Sequence, residues 1–191
     1  MDKHVKGSLF QEYARMVKNL KQVDWGKYLT SSDLEIIHHM IIPSKWYPLE
    51  SYQRLGVAVF QEIAQGKPEA ALAWGRHTMD DLYSTYQQLV MVQGDPVSTL
   101  KKFHKLSRQF FDFDGFEIIT LEHNYIQIKL SRDFGEIAVQ GYTYQILGTI
   151  QRLIELCGMK EVKAEFDAKV WEGAPHTIFK LSWAPGHPDT S

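Results

Sequence analysis

The sequence holds one cysteine, Cys157, in 191 residues, so no intramolecular disulfide can form and cysteines alone cannot cage a metal. That usage fits a reducing compartment, and the cytoplasm is the expected location. An excess of one charge is also lacking. Twenty-one Lys and Arg face 23 Asp and Glu, leaving −2, so no overall basic field draws the chain to nucleic acid. No apolar run approaches the roughly 20 residues that span a bilayer, and Met1 to Phe10 carries no apolar signal-peptide core. Low-complexity tracts and fixed-period repeats are absent. So are a P-loop, a G-x-S-x-G elbow, an H-E-x-x-H pair and a C-x-x-C pair. The expectation is a protein that is not an enzyme.

What the chain does contain is a change of period. In Phe116 to Leu121 and Tyr125 to Leu130 apolar residues recur every second position, with Ile126, Ile128 and Leu130 on one face, and His123-Asn124 suits the hairpin between them. Glu161 to Val170 alternates again, with Val162, Ala164, Phe166, Ala168 and Val170 opposite a charged face. Past a Gly-Pro loop, Thr177, Phe179, Leu181 and Trp183 share one face of a return strand. Between the hairpins, Ile137 to Cys157 is helical in pattern. Its Ile146, Leu147, Ile150, Leu153, Ile154 and Cys157 fall within roughly 120° of one another. The predicted class is α+β: a mainly helical part (1–114) packed on a four-stranded antiparallel sheet in the order strand, strand, helix, strand, strand (115–184). The length suits one domain over 1–184, with a tail at 185–191.

The N-terminal part predicts a helix over Lys6 to Leu20 and a short turn at Asp24 to Tyr28. A capping box at Ser32-Asp33-Leu34-Glu35 predicts a helix to about Met40. Pro43 disfavours continuation, and Pro48 opens a helix that Gly66 stops. Pro68 begins a long helix to about Val92 with the stripe Ala71, Trp74, Thr78, Leu82, Tyr86 and Leu89. A further helix runs from Val97 to about Phe111.

Ligand-gripping side chains are sought on the long helix, at Trp74, His77 and Tyr86, with Tyr142 opposite on the central helix. The tryptophan and tyrosines would serve equally as core filling. Gly141 and Gly148 lie two turns apart, opposite the apolar stripe, with Tyr144 beside them. Each glycine costs roughly 0.5–1 kcal/mol in a helix, so the face predicts a close approach by another helix, a second copy of the chain or a ligand. A poorly optimised solvent face reads the same way. Metal ligands are not expected: His38 and His39 point about 100° apart on a helix, Asp80-Asp81 reads as a solvated face, and Asp112/Asp114 lacks the later ligands of a calcium loop.

Four segments, Val5-Lys6-Gly7-Ser8-Leu9-Phe10, Pro43 to Leu49, Arg108-Gln109-Phe110-Phe111-Asp112 and Gly173 to Phe179, resemble the markers of an uncharacterised paralogous family expanded in myxobacteria. That family is similar to 4-vinyl reductase-type small-ligand domains and to the heme domains that bind nitric oxide and oxygen. Both imply helices followed by the ββαββ order read above. Departures matter. Lys169 and Thr177 stand where the zinc-bearing relatives place cysteines, so that zinc site is expected to be missing. Aligned on Ser131, the heme domains' Y-x-S-x-R motif finds Lys129 and Asp133, with Arg132 one place early. Their proximal histidine corresponds to His104.

The preferred expectation is a non-enzymatic small-molecule-binding or sensory domain without a cofactor, holding an apolar or aromatic molecule between Trp74, His77, Tyr86 and Tyr142. Its signal would pass through a homodimer or a protein partner. One alternative is an interaction scaffold using the Gly141/Tyr144/Gly148 face, as in trafficking-complex subunits. Another is a heme gas sensor ligated by His104. A ligand reader predicts an internal cavity reaching Trp74; a scaffold predicts a dense interior and an apolar surface patch.

Overall fold

The computed structural model describes residues 2–122, 124–134 and 139–184. The predicted tail, Ile137 and His123 lie outside them. A short strand β1 (His4–Lys6) leads into helix α1 (Gly7–Asn19), a 3-10 turn at Trp25–Lys27 and α2 (Ser31–His38). Strand β2 (Trp46–Pro48), α3 (Leu49–Glu62), α4 (Pro68–Val90) and α5 (Pro96–Ser107) follow. Then come β3 (Phe116–Glu122), β4 (Tyr125–Leu130), α6 (Val139–Leu156), β5 (Lys160–Ala168) and β6 (Ile178–Ala184). This is the expected α+β order.

The two hairpins share one antiparallel sheet, ordered β3-β4-β6-β5. Ile118 pairs with Ile128, Ile128 with Phe179 and Phe179 with Phe166, so one cross-strand row runs the width of the sheet. Leu147, Ile150, Leu153 and Ile154 of α6 pack on that face, all but closed to solvent. The opposite face is laced by ion pairs between strands, Lys129 with Glu117 and Lys180 with Glu165. Alternation therefore chose which face is buried, and the α6 stripe covers it.

Helix α6 is also the sheet's link to the N-terminal helices, because its other side packs on α4. A Cβ on Gly75 would stand 1.8 Å from the Gln145 carbonyl oxygen, and one on Gly148 would stand 2.1 Å from that of Leu72. The two backbones touch. Arg76 clamps Glu155 through two 2.7 Å bonds and Arg152 reaches Asp80 at 2.7 Å, closing the seam at its polar edge. Among the described residues no helix is long and apolar enough to cross a membrane.

Several expectations need correction. The capping box is Thr30 with Asp33, not Ser32 with Glu35, and the helix stops at His38. Asp33 is claimed by Arg54 as well as by Thr30, a tertiary demand that local spacing does not show. Trp46-Tyr47-Pro48 pairs with His4–Lys6 as a small antiparallel ladder, so α3 begins at Leu49 rather than Pro48. On α4 the buried residues are Ala71, Gly75, Met79 and Val90, while Leu89 is 61% exposed, because it stands about 100° around the helix from the buried Val90. Helix α5 ends at Ser107, short of Phe111.

Candidate functional site

An apolar cavity of about 90 Å³ lies between α1, α3, α4, α5 and α6. Leu9 of α1, Tyr52 of α3 and Thr78 and Leu82 of α4 contribute to one part of its lining; Tyr142, Gln145 and Ile146 of α6 contribute another. From α5, Phe103 and Ser107 reach it together because residues four apart share a helix face. Phe134 belongs to the lining as well. Its ring meets Tyr142 at 4.9 Å, Phe113 at 5.1 Å and Phe111 at 5.4 Å. The buried Gln53 amide donates to the Phe134 carbonyl, which fixes this aromatic plug to α3.

Two of the lining residues, Tyr52 and Tyr142, belong with Tyr13 to a set of closely packed phenols. Tyr13 donates to Gln145 Oε1 at 2.5 Å, and its ring lies 4.9 Å from that of Tyr52. Burial raises the pKa of the Tyr13, Tyr52 and Tyr142 hydroxyls, so all three remain neutral donors at any physiological pH.

Of the four ligand-gripping residues expected from sequence, Tyr142 lines the cavity and the others do not. Trp74 packs edge-on against Tyr13 at 5.5 Å, and Tyr86 edge-on against Phe110 at 6.0 Å. His77 points to solvent with its side chain 74% exposed, 3.7 Å from Asp81. The cavity therefore does not reach Trp74. Gly148 faces α4 and Gly141 faces the Phe60 ring, so the contact on the glycine face is internal. Tyr144 likewise packs on Phe166 at 4.8 Å. Leu9, Tyr52, Phe103 and Phe134 escaped the sequence reading, although the Phe103/Ser107 spacing was available as a signal.

His104 lies about 100° around α5 from Phe103 and does not line the cavity. The residue borders a separate outer groove; its ring packs 4.7 Å from Phe116, and its Nε2, closed to solvent, stands 3.7 Å from Asp114. Lys129 is paired with Glu117 at 2.5 Å, and Arg132 donates through Nε and Nη2 to the Pro175 carbonyl at 3.1 and 2.8 Å. The Asp133 side chain is outside the described residues. Lys169 pairs with Glu172 at 2.8 Å, and Thr177 Oγ1 accepts from the Val170 amide at 3.3 Å. Asp112 is engaged by His4 and Asp114 by Arg108. Among the described residues no group of three or more His, Cys, Asp or Glu is placed to hold a metal ion.

No family model matches the sequence, and no curated protein matches it. Solved structures do. An H-NOX protein from S. oneidensis in the Fe(II)NO ligation state superposes with a TM-score of 0.64 at 16% identity, over 94% of this chain and 99% of that one. Fe(II) unliganded H-NOX from K. algicida gives 0.65 at 16%, over 96% and 98%. A mutant of T. Tengcongensis H-NOX gives 0.57 at 14%, over 94% and 98%. The chain thus has an H-NOX-like fold along nearly its whole length. The heme discussed for that family does not suit the residues here: no histidine or cysteine lines the cavity, whose volume falls well below the several hundred Å³ usual for a ligand pocket.

Proposed function

We propose that this chain is a non-enzymatic small-molecule-binding, sensory domain built on the H-NOX-like fold, with the α1/α3/α4/α5/α6 cavity as its ligand site. The observation that carries the reading is the apolar lining of that cavity at the place where five helices meet. At about 90 Å³ it is smaller than the roughly 150 Å³ apolar cavities that admit benzene or xenon. The ligand class is accordingly a compact apolar molecule smaller than benzene unless the lining side chains yield, held by dispersion contacts with the rings. Occupancy would act on the α4–α6 seam, since Thr78 and Leu82 of α4 and Gln145, Ile146 and Thr149 of α6 line the same space.

The volume and the position of His104 argue against the heme-sensor alternative. The scaffold alternative loses the surface assigned to it, because Leu72 and Phe60 already cover Gly148 and Gly141. The test is methyl NMR of the full chain under xenon pressure and with saturating benzene. Leu9, Leu82 and Ile146 methyls shift with at least one probe, and Leu82→Phe, which fills the space, abolishes the response. Methyls indifferent to both probes would remove this reading.

A further inference from the structure

Three of the seven large apolar side chains left exposed among the described residues sit on the stretch from His39 to Trp46 that joins α2 to β2. Met40 is 85% exposed, Ile42 46% and Trp46 41%. Exposed apolar residues scattered singly need no explanation, but three on one connection do. The connection also lacks acid: from Ile36 to Leu49 there is no Asp or Glu. Lys6 Nζ donates to the Ser44 carbonyl at 2.9 Å and lies 3.9 Å from the centre of the Trp46 ring, and Lys18 Nζ donates to the His39 carbonyl at 3.1 Å. Lys45 is exposed on the loop itself. The only carboxylate of α1, Glu12, is taken by Arg15 at 3.1 Å. Apolar side chains thus stand among uncompensated positive charges, which complement an anionic surface.

The loop's backbone narrows the kind of surface. Its carbonyls at Ile42, Pro43 and Lys45 accept from the amides of Lys45, Ser8 and Gly7 at 3.0, 3.0 and 2.8 Å, and the Ile42 amide donates to the Tyr47 hydroxyl at 2.9 Å. The two lysine bonds satisfy the carbonyls of Ser44 and His39, and Pro43 has no N–H to offer. An added peptide strand would find few free backbone groups here, whereas a lipid phase tolerates a backbone whose polar groups are satisfied within the protein. A second copy of the chain would set the same lysines against one another. The side chains suit a bilayer: a tryptophan for the interface, isoleucine and methionine for the acyl boundary, and lysine stems that lift their ammonium groups to the headgroups.

We propose that the loop from His39 to Trp46 is a peripheral membrane contact. Met40, Ile42 and Trp46 enter the acyl boundary of an anionic bilayer, and Lys6, Lys18 and Lys45 meet its headgroups. The contact is independent of the cavity ligand, so Leu82→Phe leaves it unchanged.

The experiment is co-sedimentation of the full chain with vesicles of mixed phosphatidylglycerol and phosphatidylcholine, and with pure phosphatidylcholine. The expected result is binding to the mixed vesicles alone, weakening as salt rises. At roughly fivefold per lysine brought to an anionic surface, Lys18→Gln/Lys45→Gln should weaken it about tenfold or more. Met40→Asp/Ile42→Asp should abolish it while urea unfolding reports the parent's stability, since both positions are exposed. Brominated lipid should quench tryptophan emission in the parent and not in Trp46→Phe. Equal binding to both vesicle types, binding that the Asp variants leave intact, or binding to neither would overturn the proposal. In that last case a saturable shift of the Met40 and Ile42 methyls with an acidic, leucine-rich peptide would assign the loop to a protein partner instead.

Discussion

The carbonyl oxygen of Gln145 lies 1.8 Å from where a Cβ on Gly75 would stand, and the Leu72 carbonyl oxygen lies 2.1 Å from where one on Gly148 would. Each helix thus contributes a glycine against the other's backbone, and the contact is reciprocal. Backbone atoms cannot turn aside as a side chain can, so Gly75→Ala and Gly148→Ala must push α4 and α6 apart. Overpacking of this kind costs about 3 kcal/mol at the upper end of its usual range. Gly141→Ala meets Cγ of Phe60 at 2.6 Å and its Cβ at 2.9 Å, atoms that turning the ring does not move; a side chain rather than a backbone must shift, and the cost should be about 2 kcal/mol. Urea unfolding of the three variants gives the ranking; equal costs would mean that the seam is looser than the contact distances indicate.

Acid sensitivity should centre on Asp33. Its carboxylate is closed to solvent and accepts from Arg54 at 2.7 and 2.9 Å and from the Thr30 amide and hydroxyl at 2.8 Å each. Burial by itself raises the pKa, but the bonds from Arg54, Ser51 and Thr30 outweigh it and hold the group well below the usual carboxylate range. A depressed folded pKa contributes stability that is fully present above the unfolded value of about 4 and is lost as pH falls toward the folded one. Asp33→Asn should destabilise by about 3 kcal/mol at neutral pH, since it leaves the partly buried Arg54 with only the exposed Glu50 carboxylate at 3.5 Å. It should also flatten the decline of stability below pH 4 seen by denaturant titration. A variant that declines as steeply as the parent would assign acid lability elsewhere.

Cys157 should be inert in the folded protein. It is closed to solvent, its thiol donates to the Val92 carbonyl at 3.0 Å, and its sulfur lies 3.4 Å from Thr99 Oγ1. Burial pushes the thiol pKa up, which lowers the thiolate fraction that reacts. Modification by a disulfide reagent should therefore track global unfolding, accelerating only near the urea midpoint. Rapid labelling in native buffer would show instead that the α4–α5 turn opens on its own.

The ββαββ half was legible because its signals are local: alternation in β4 and β6, and a single stripe on α6, each decide a face without knowledge of the rest. The glycine face was legible as a close approach, though only coordinates show that α4 supplies it at Gly148 and Phe60 of α3 at Gly141. Sites were harder. Trp74 and Tyr86 read as ligand-gripping because large rings bind ligands, but the same rings fill cores, and Tyr13 and Phe110 take them. His77 could not be distinguished from a lining residue, because its fate depends on which flank of α4 the sheet and α6 leave bare. The β1–β2 ladder was invisible for a related reason: three-residue strands 40 residues apart carry too little alternation to register.

Heme affinity offers the most direct separation between a shared fold and a shared ligand. Phe103 and Ser107 present the cavity face of α5, and His104 borders the outer groove behind Phe116, which lines both spaces. Supplying iron with a ligand in the cavity would need α5 to rotate by about 100°, with Phe103 leaving the buried cluster it forms with Phe116. The full chain, expressed with ample heme or mixed with hemin, should therefore stay without a sharp visible band, and His104→Ala should change nothing. Placing the imidazole on the cavity face and opening the plug, in the double variant Phe103→His/Phe134→Ala, should produce such a band if the fold itself can still house the macrocycle. Tight heme binding by the parent chain, abolished by His104→Ala, would mean that α5 turns in solution, and the small apolar cavity would no longer describe the ligand-bound protein.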